Sequence, residues 1–125
     1  TPVLGTIGWC FGGGQALRLA MANEDIKAAV IYYGTPLVRD QKLASIKGAV
    51  LGIFGDQDQV IPVQHVAEFK ERLRASTIIQ EIYVYPGVGH AFANPSGANY
   101  APEATKDAWG KTLAFLAKHL QAQLE

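Results

Sequence analysis

Apolar positions along the chain follow two alternating rhythms. Short unbroken runs rich in β-branched and aromatic residues read as buried strands, and longer stretches with apolar residues every three or four positions read as helices. Val3-Leu4-Gly5-Thr6-Ile7 is the first strand, ending in Gly8. Residues 13–23 form a helix carried by Ala16, Leu17, Ala20 and Met21, with Asn23 suited to its end. Ala28 to Tyr33 is a second strand, stopped by Gly34-Thr35-Pro36, and Ala49 to Phe54 a third, stopped by Gly55-Asp56. A helix follows Pro62, where Val66, Phe69 and Leu73 share one face and Glu68 precedes Arg72 by four on the wet side. Ile78 to Tyr85 is the fourth strand, and Pro86-Gly87 opens a loop to about Tyr100. The last helix begins near Pro102, with Trp109, Leu113, Leu116 and Leu120 as its apolar face.

Strands and helices in alternation, with strands apolar on both faces, predict an α/β fold. The expectation is a mainly parallel sheet of about four strands with helices on both faces, in one domain over residues 1–125. In such sheets ligands and chemistry collect where strands end.

Composition narrows the class. Hydrophobic residues make up 49% and charged residues 18% of 125, a globular balance. Eleven basic residues offset eleven acidic ones, so neither a nucleic-acid stripe nor a polybasic membrane patch is expected. The apolar runs are short, so no membrane span is expected. No signal peptide is read at Thr1-Pro2-Val3-Leu4. A single cysteine forms no internal disulfide and suggests a reducing, cytoplasmic setting. One Cys and three His leave little for a structural zinc.

The strand ends carry the candidate chemistry. Gly8-Trp9-Cys10-Phe11-Gly12-Gly13 follows the first strand and opens a helix, a G-x-C-x-G form of the nucleophile elbow. Glycines on either side of Cys10 permit a sharp turn. The helix N-terminus favours a thiolate, and the Phe11 N–H faces a developing oxyanion. The alternative is a merely buried thiol in a Gly-rich turn. Gly55-Asp56-Gln57-Asp58 follows the third strand, and Gly87-Val88-Gly89-His90 follows the fourth. Either carboxylate could orient a histidine; Asp56 is also placed to hydrogen-bond its own turn, and Asp58 lies further into the loop, with the reach a triad acid needs. Nucleophile, acid and histidine then follow in the chain order of α/β-hydrolases. Trp9 and Tyr33 are candidates to line a substrate pocket. His65 reads as a surface residue, and His119 as a favourable partner of its helix C-terminus.

These pieces resemble the dienelactone hydrolase family: Gly8-Trp9-Cys10-Phe11-Gly12-Gly13, Tyr32-Tyr33-Gly34, Gly55-Asp56-Gln57-Asp58-Gln59-Val60-Ile61-Pro62, and Tyr85-Pro86-Gly87 through Gly89-His90-Ala91-Phe92. The resemblance implies a partial α/β-hydrolase fold, with Cys10, Asp58 and His90 as triad. It also implies hydrolysis of enol-lactones and activated esters through an S-acyl intermediate, without metal or organic cofactor. Two departures stand out. Dienelactone hydrolases proper carry Ser after the His and Arg four residues after it; here Ala91 and Asn94 stand there. Without that bidentate carboxylate partner, a neutral or differently charged ester is the expected substrate. Family members are also about twice as long, so the resemblance covers their C-terminal half and leaves out the loop that supplies a second oxyanion donor. The first strand then becomes an apolar sheet edge. The edge predicts either a homo-oligomer or pairing with a missing N-terminal half. Other readings are a non-catalytic, self-associating module and a redox-sensing thiol.

Overall fold

A computed structural model describes residues 3–121. Four strands form one sheet, every neighbouring pair parallel and in sequence order: β1 (Leu4–Trp9), β2 (Ile26–Tyr32), β3 (Ala49–Gly55) and β4 (Gln80–Tyr85). Parallel neighbours require crossovers, supplied by α1 (Phe11–Ala22) between β1 and β2 and α2 (Val63–Ala75) between β3 and β4. A short 3-10 turn, Gln41–Ser45, lies in the β2–β3 connection, and α3 (Pro102–Leu116) runs into a π-helical turn, Ala117–Gln121.

Side-chain alternation along β2 and β3 splits the core into two layers. Ala29, Ile31, Val50 and Phe54 pack on Leu17 and Ala20 of α1 and on Val66, Phe69 and Leu73 of α2. Ala28, Val30, Tyr32, Leu51 and Ile53 pack on Ala108 and Phe115 of α3. Helices therefore cover both faces, and all seven residues of β3 are buried. The i, i+3, i+7 face anticipated for α2 is the buried one.

Several local expectations shift. The helix after Cys10 starts at Phe11 instead of residue 13, so the turn is tighter than the sequence suggests. Arg72 does not meet Glu68; its guanidinium donates to the carbonyls of Val38 and Asp40 and ties α2 to the β2–β3 connection. The fourth strand begins at Gln80 because Ile78 belongs to the end of α2. There the Thr77 N–H donates to Arg74 O and the Ile78 N–H to Leu73 O, a Schellman arrangement with Thr77 at φ 56°. His119 is not a charged cap; its ring lies 4.5 Å from Phe115, and burial, with Lys118 nearby, lowers its pKa.

The largest correction concerns α3. Of its anticipated apolar face, Trp109 is 46% and Leu113 52% exposed; Leu116 and Leu120 are only partly buried. The buried stripe is Ala108, Thr112 and Phe115. Small Ala108 lets the helix approach the sheet, and the Thr112 hydroxyl is satisfied by the Tyr32 hydroxyl at 2.7 Å. One flank of α3 lies over β4, where Asp107 accepts from the Tyr85 hydroxyl and Lys111 covers the Tyr83 ring. At 100° per residue the Trp109–Leu113 stripe falls on the other flank, toward β1. There Leu120 packs over Gly5. Leu4, Ile7 and Trp9 are also exposed along β1, so one apolar surface runs from the sheet edge onto α3.

Candidate active site

The carboxyl ends of β1, β3 and β4 bring three loops together. Cys10 caps α1 with φ 55° and ψ −123°, a strained turn for a residue with a Cβ. Its N–H donates to Tyr32 O at 3.0 Å, and its carbonyl accepts from Gly13 N at 2.9 Å. The turn is possible because Gly8 passes directly against the backbone of Gly12; a Cβ on Gly8 would sit 2.0 Å from Gly12 O. Phe11 N–H is the first donor of α1 and has no intrahelical acceptor, so it is available to an oxyanion beside the sulfur. The Phe11 ring itself points into solvent, 82% exposed.

Asp58 and His90 meet as the order of the loops suggests. His90 Nδ1 lies 2.8 Å from Asp58 Oδ2. Asp58 Oδ1 accepts from Val60 N at 2.7 Å and Ile61 N at 2.8 Å, which fixes the carboxylate in a fully buried position. Asp56 does more than form its own turn: it accepts from Gly87 N at 2.8 Å. Gln57 N donates to Val88 O at 2.9 Å, so the acid loop and the histidine loop are laced to each other. Behind His90, Asn99 holds its carbonyl and Thr105 holds the carbonyl of Phe92.

Tyr33 was legible only as a pocket candidate, yet it also touches the histidine. Its ring stands 5.3 Å from the His90 ring and edge-on to Phe92 at 5.5 Å. Burial pushes its phenol up to about 12, partly offset by a backbone hydrogen bond from Ala93. With Trp9, Cys10, Ala91, Ala93 and Asn94, Tyr33 lines a pocket of about 300 Å³. Tyr32 faces the core, stacked 5.3 Å from Trp9.

The electrostatics depart from the helix-dipole expectation. Burial, then the Asp58 carboxylate, push the Cys10 thiol above its ordinary 9.0. No hydrogen bond joins Cys10 to His90 among the described residues. Alkylation of Cys10 by iodoacetamide is therefore expected to rise about tenfold per pH unit to beyond pH 9. A rate plateau below pH 7 would show a preformed thiolate instead.

Among the described residues, no group of three His, Cys, Asp or Glu gathers to hold a metal ion. No helix among them is long and apolar enough to cross a membrane. A thiol on a strained turn, a carboxylate-held imidazole and a free helix-end N–H at the same end of the sheet are groups that thiol-based acyl transfer employs.

Known proteins resemble the chain over most of its length. A Yersinia pestis protein named "Putative carboxymethylenebutenolidase" is 35% identical, over 95% of this chain and 48% of that protein. A Bradyrhizobium protein named "Probable 2-oxo-3-(5-oxofuran-2-ylidene)propanoate lactonase" is 33% identical, over 94% of this chain and 51% of its own length. The crystal structure of a "Putative Dienelactone Hydrolase" from Klebsiella pneumoniae superposes with a TM-score of 0.82 at 34% identity, covering 89% of this chain and 50% of that one. The chain thus spans about half the length of the curated relatives it matches. Residues 2–120, taking in the elbow and both loops that meet it, match the model of the dienelactone hydrolase family, and the chain belongs to that family.

Proposed function

We propose that this chain carries the nucleophile, base and acid of a hydrolase of carboxylic esters or lactones: Cys10, His90 and Asp58. The observation that carries this reading is the 2.8 Å His90–Asp58 contact, on loops that meet the Cys10 elbow at the carboxyl end of the sheet. Family membership and the lactonase name of the Bradyrhizobium relative support the substrate class.

On substrate binding the Cys10 proton passes to His90 Nε2 as Sγ bonds to the carbonyl carbon. Asp58, already paired with Nδ1, stabilises the imidazolium. The oxyanion is met by the Phe11 N–H. The bond to the alcohol oxygen breaks, the proton leaves with that oxygen, and a thioester remains. Water, deprotonated by His90, attacks the thioester; the C–S bond breaks, the thiol regains its proton and the acid departs. Trp9 and Tyr33 hold the acyl part. None of these steps draws on a cofactor, and no nucleic acid or membrane takes part.

We further propose that the chain corresponds to the C-terminal half of an α/β-hydrolase. In this reading a missing N-terminal half covers the apolar surface of Leu4, Ile7, Trp9, Trp109 and Leu113 and supplies a second oxyanion donor. The half-length match to relatives and the exposure of those five residues support it. A homo-oligomer that buries the same edge is the competing partner. Lack of one oxyanion donor costs about 10²–10³ in rate, so the chain alone would be slow.

The deciding experiment is steady-state hydrolysis of a short-chain 4-nitrophenyl ester by the 125-residue chain, with Cys10→Ala in parallel. Turnover that disappears in Cys10→Ala supports the hydrolase reading. Equal turnover in both, or none in either, favours a non-catalytic module that depends on its partner.

A further inference from the structure

We propose that the pocket beside Cys10 selects uncharged acyl groups: neutral esters or lactones whose acyl part carries neither a carboxylate nor an ammonium. This rests on the hydrolase reading for the reaction and on the pocket wall for the selection. None of the six lining residues, Trp9, Cys10, Tyr33, Ala91, Ala93 and Asn94, bears a formal charge at neutral pH. Cys10 is held as the thiol and Tyr33 as the phenol.

The neighbouring charges do not fill the gap. Asp58 is fully buried, with one oxygen engaged by Val60 and Ile61 N–H groups and the other by His90. It offers no free oxygen to a substrate ammonium. His90, once protonated, is the partner of Asp58 and not of a substrate carboxylate. An acyl carboxylate would therefore enter a mostly apolar pocket with no cation among its described lining residues, close to an existing negative charge. Two alanines and two aromatic rings favour a compact apolar acyl group instead.

Iodoacetamide and iodoacetate test the selection without requiring turnover, because both alkylate the same sulfur and differ in charge. The protein with its full chain is used, and 2-mercaptoethanol gives the intrinsic rate ratio. At Cys10, iodoacetamide is expected to be favoured by about tenfold or more beyond that ratio. Asn94→Arg, which places a cation at the pocket wall, is expected to cut the excess by about threefold or more. In turnover, methyl 4-nitrophenyl adipate should exceed 4-nitrophenyl hydrogen adipate in kcat/KM by a similar factor. The 4-nitrophenyl ester of 4-(trimethylammonio)butyrate should fall below 4-nitrophenyl butyrate. An alkylation ratio matching 2-mercaptoethanol, or a charged ester equal to its neutral counterpart, overturns the proposal. An intact alkylation excess with no ester turnover upholds charge selection and overturns the hydrolase reading.

Discussion

Gly8→Ala is expected to collapse the nucleophile turn, whereas Gly12→Ala, on the other side of Cys10, is expected to be harmless or mildly stabilising. A Cβ on Gly8 would lie 2.0 Å from Gly12 O, 2.3 Å from Gly12 C and 2.8 Å from Gly13 N. All three are backbone atoms, so no side-chain rotation relieves the clash. The start of α1 would have to move off β1, carrying Cys10 and the Phe11 N–H with it. The expected loss is about 3 kcal/mol or more of stability, together with ester turnover. Gly12 meets nothing within 4 Å and sits in the first turn of α1, where alanine gains up to about 1 kcal/mol over glycine. Urea midpoints and ester turnover of the two variants settle the comparison. Similar midpoints for both would mean that the close approach of Gly8 to α1 does not hold the turn.

That asymmetry marks a limit of reading the motif from sequence. The two glycines look equivalent in G-x-C-x-G, but only at Gly8 is the Cβ position occupied by backbone across the turn. The same run hides the beginning of α1: Gly12, Gly13 and Gly14 have poor helix propensity, so the sequence places the start two residues late. Tertiary packing overrides propensity there. Gly13 and Gly14 lie so close to Gly34 that a Cβ on Gly34 would approach them to 2.7–2.8 Å. The strands were legible because β2 and β3 are buried on both faces and read as unbroken apolar runs. The end of α2 was not, because Thr77 takes the left-handed position usually marked by glycine. The Trp109–Leu113 stripe misled for a physical reason: helical periodicity finds apolar faces, not what covers them. Here small Ala108 and hydrogen-bonded Thr112 face the sheet, and the bulkier stripe is left toward the edge of β1.

The candidate site was legible in its parts and their order. Cys10, Asp58 and His90 each follow a strand, and parallel strands deliver their ends to one side. Its interlocking was not. Asp56 bonds to Gly87 and Tyr33 stacks on His90 across gaps of 31 and 57 residues, beyond any local pattern. The protonation of Cys10 differs from the helix-dipole expectation because that expectation counts only the adjoining helix. Burial and a carboxylate 48 positions away act in the opposite direction.

Asp58→Asn is expected to separate these effects. The Asp58 Oδ1 position accepts from the Val60 and Ile61 N–H groups, so an asparagine keeps its carbonyl there and turns its NH2 toward His90 Nδ1. Nδ1 must then accept, and the ring proton moves to Nε2, the nitrogen that has to take the Cys10 proton. A base presented as a donor is expected to lower kcat/KM by about 10⁴, with little change in fold. The same substitution removes the negative charge that raises the Cys10 pKa, so alkylation by iodoacetamide should shift to lower pH. The two readouts therefore move apart: the thiol ionises more easily while ester hydrolysis fails. A merely structural role for Asp58 would show lost stability with both readouts falling together. Turnover within about tenfold of the parent would remove Asp58 from the mechanism. In the proposed mechanism the Asp58 carboxylate makes the thiol harder to ionise and sets the tautomer of its base, so Cys10 would stay protonated until substrate is bound. That order of events agrees with the proposed preference of the pocket for uncharged esters.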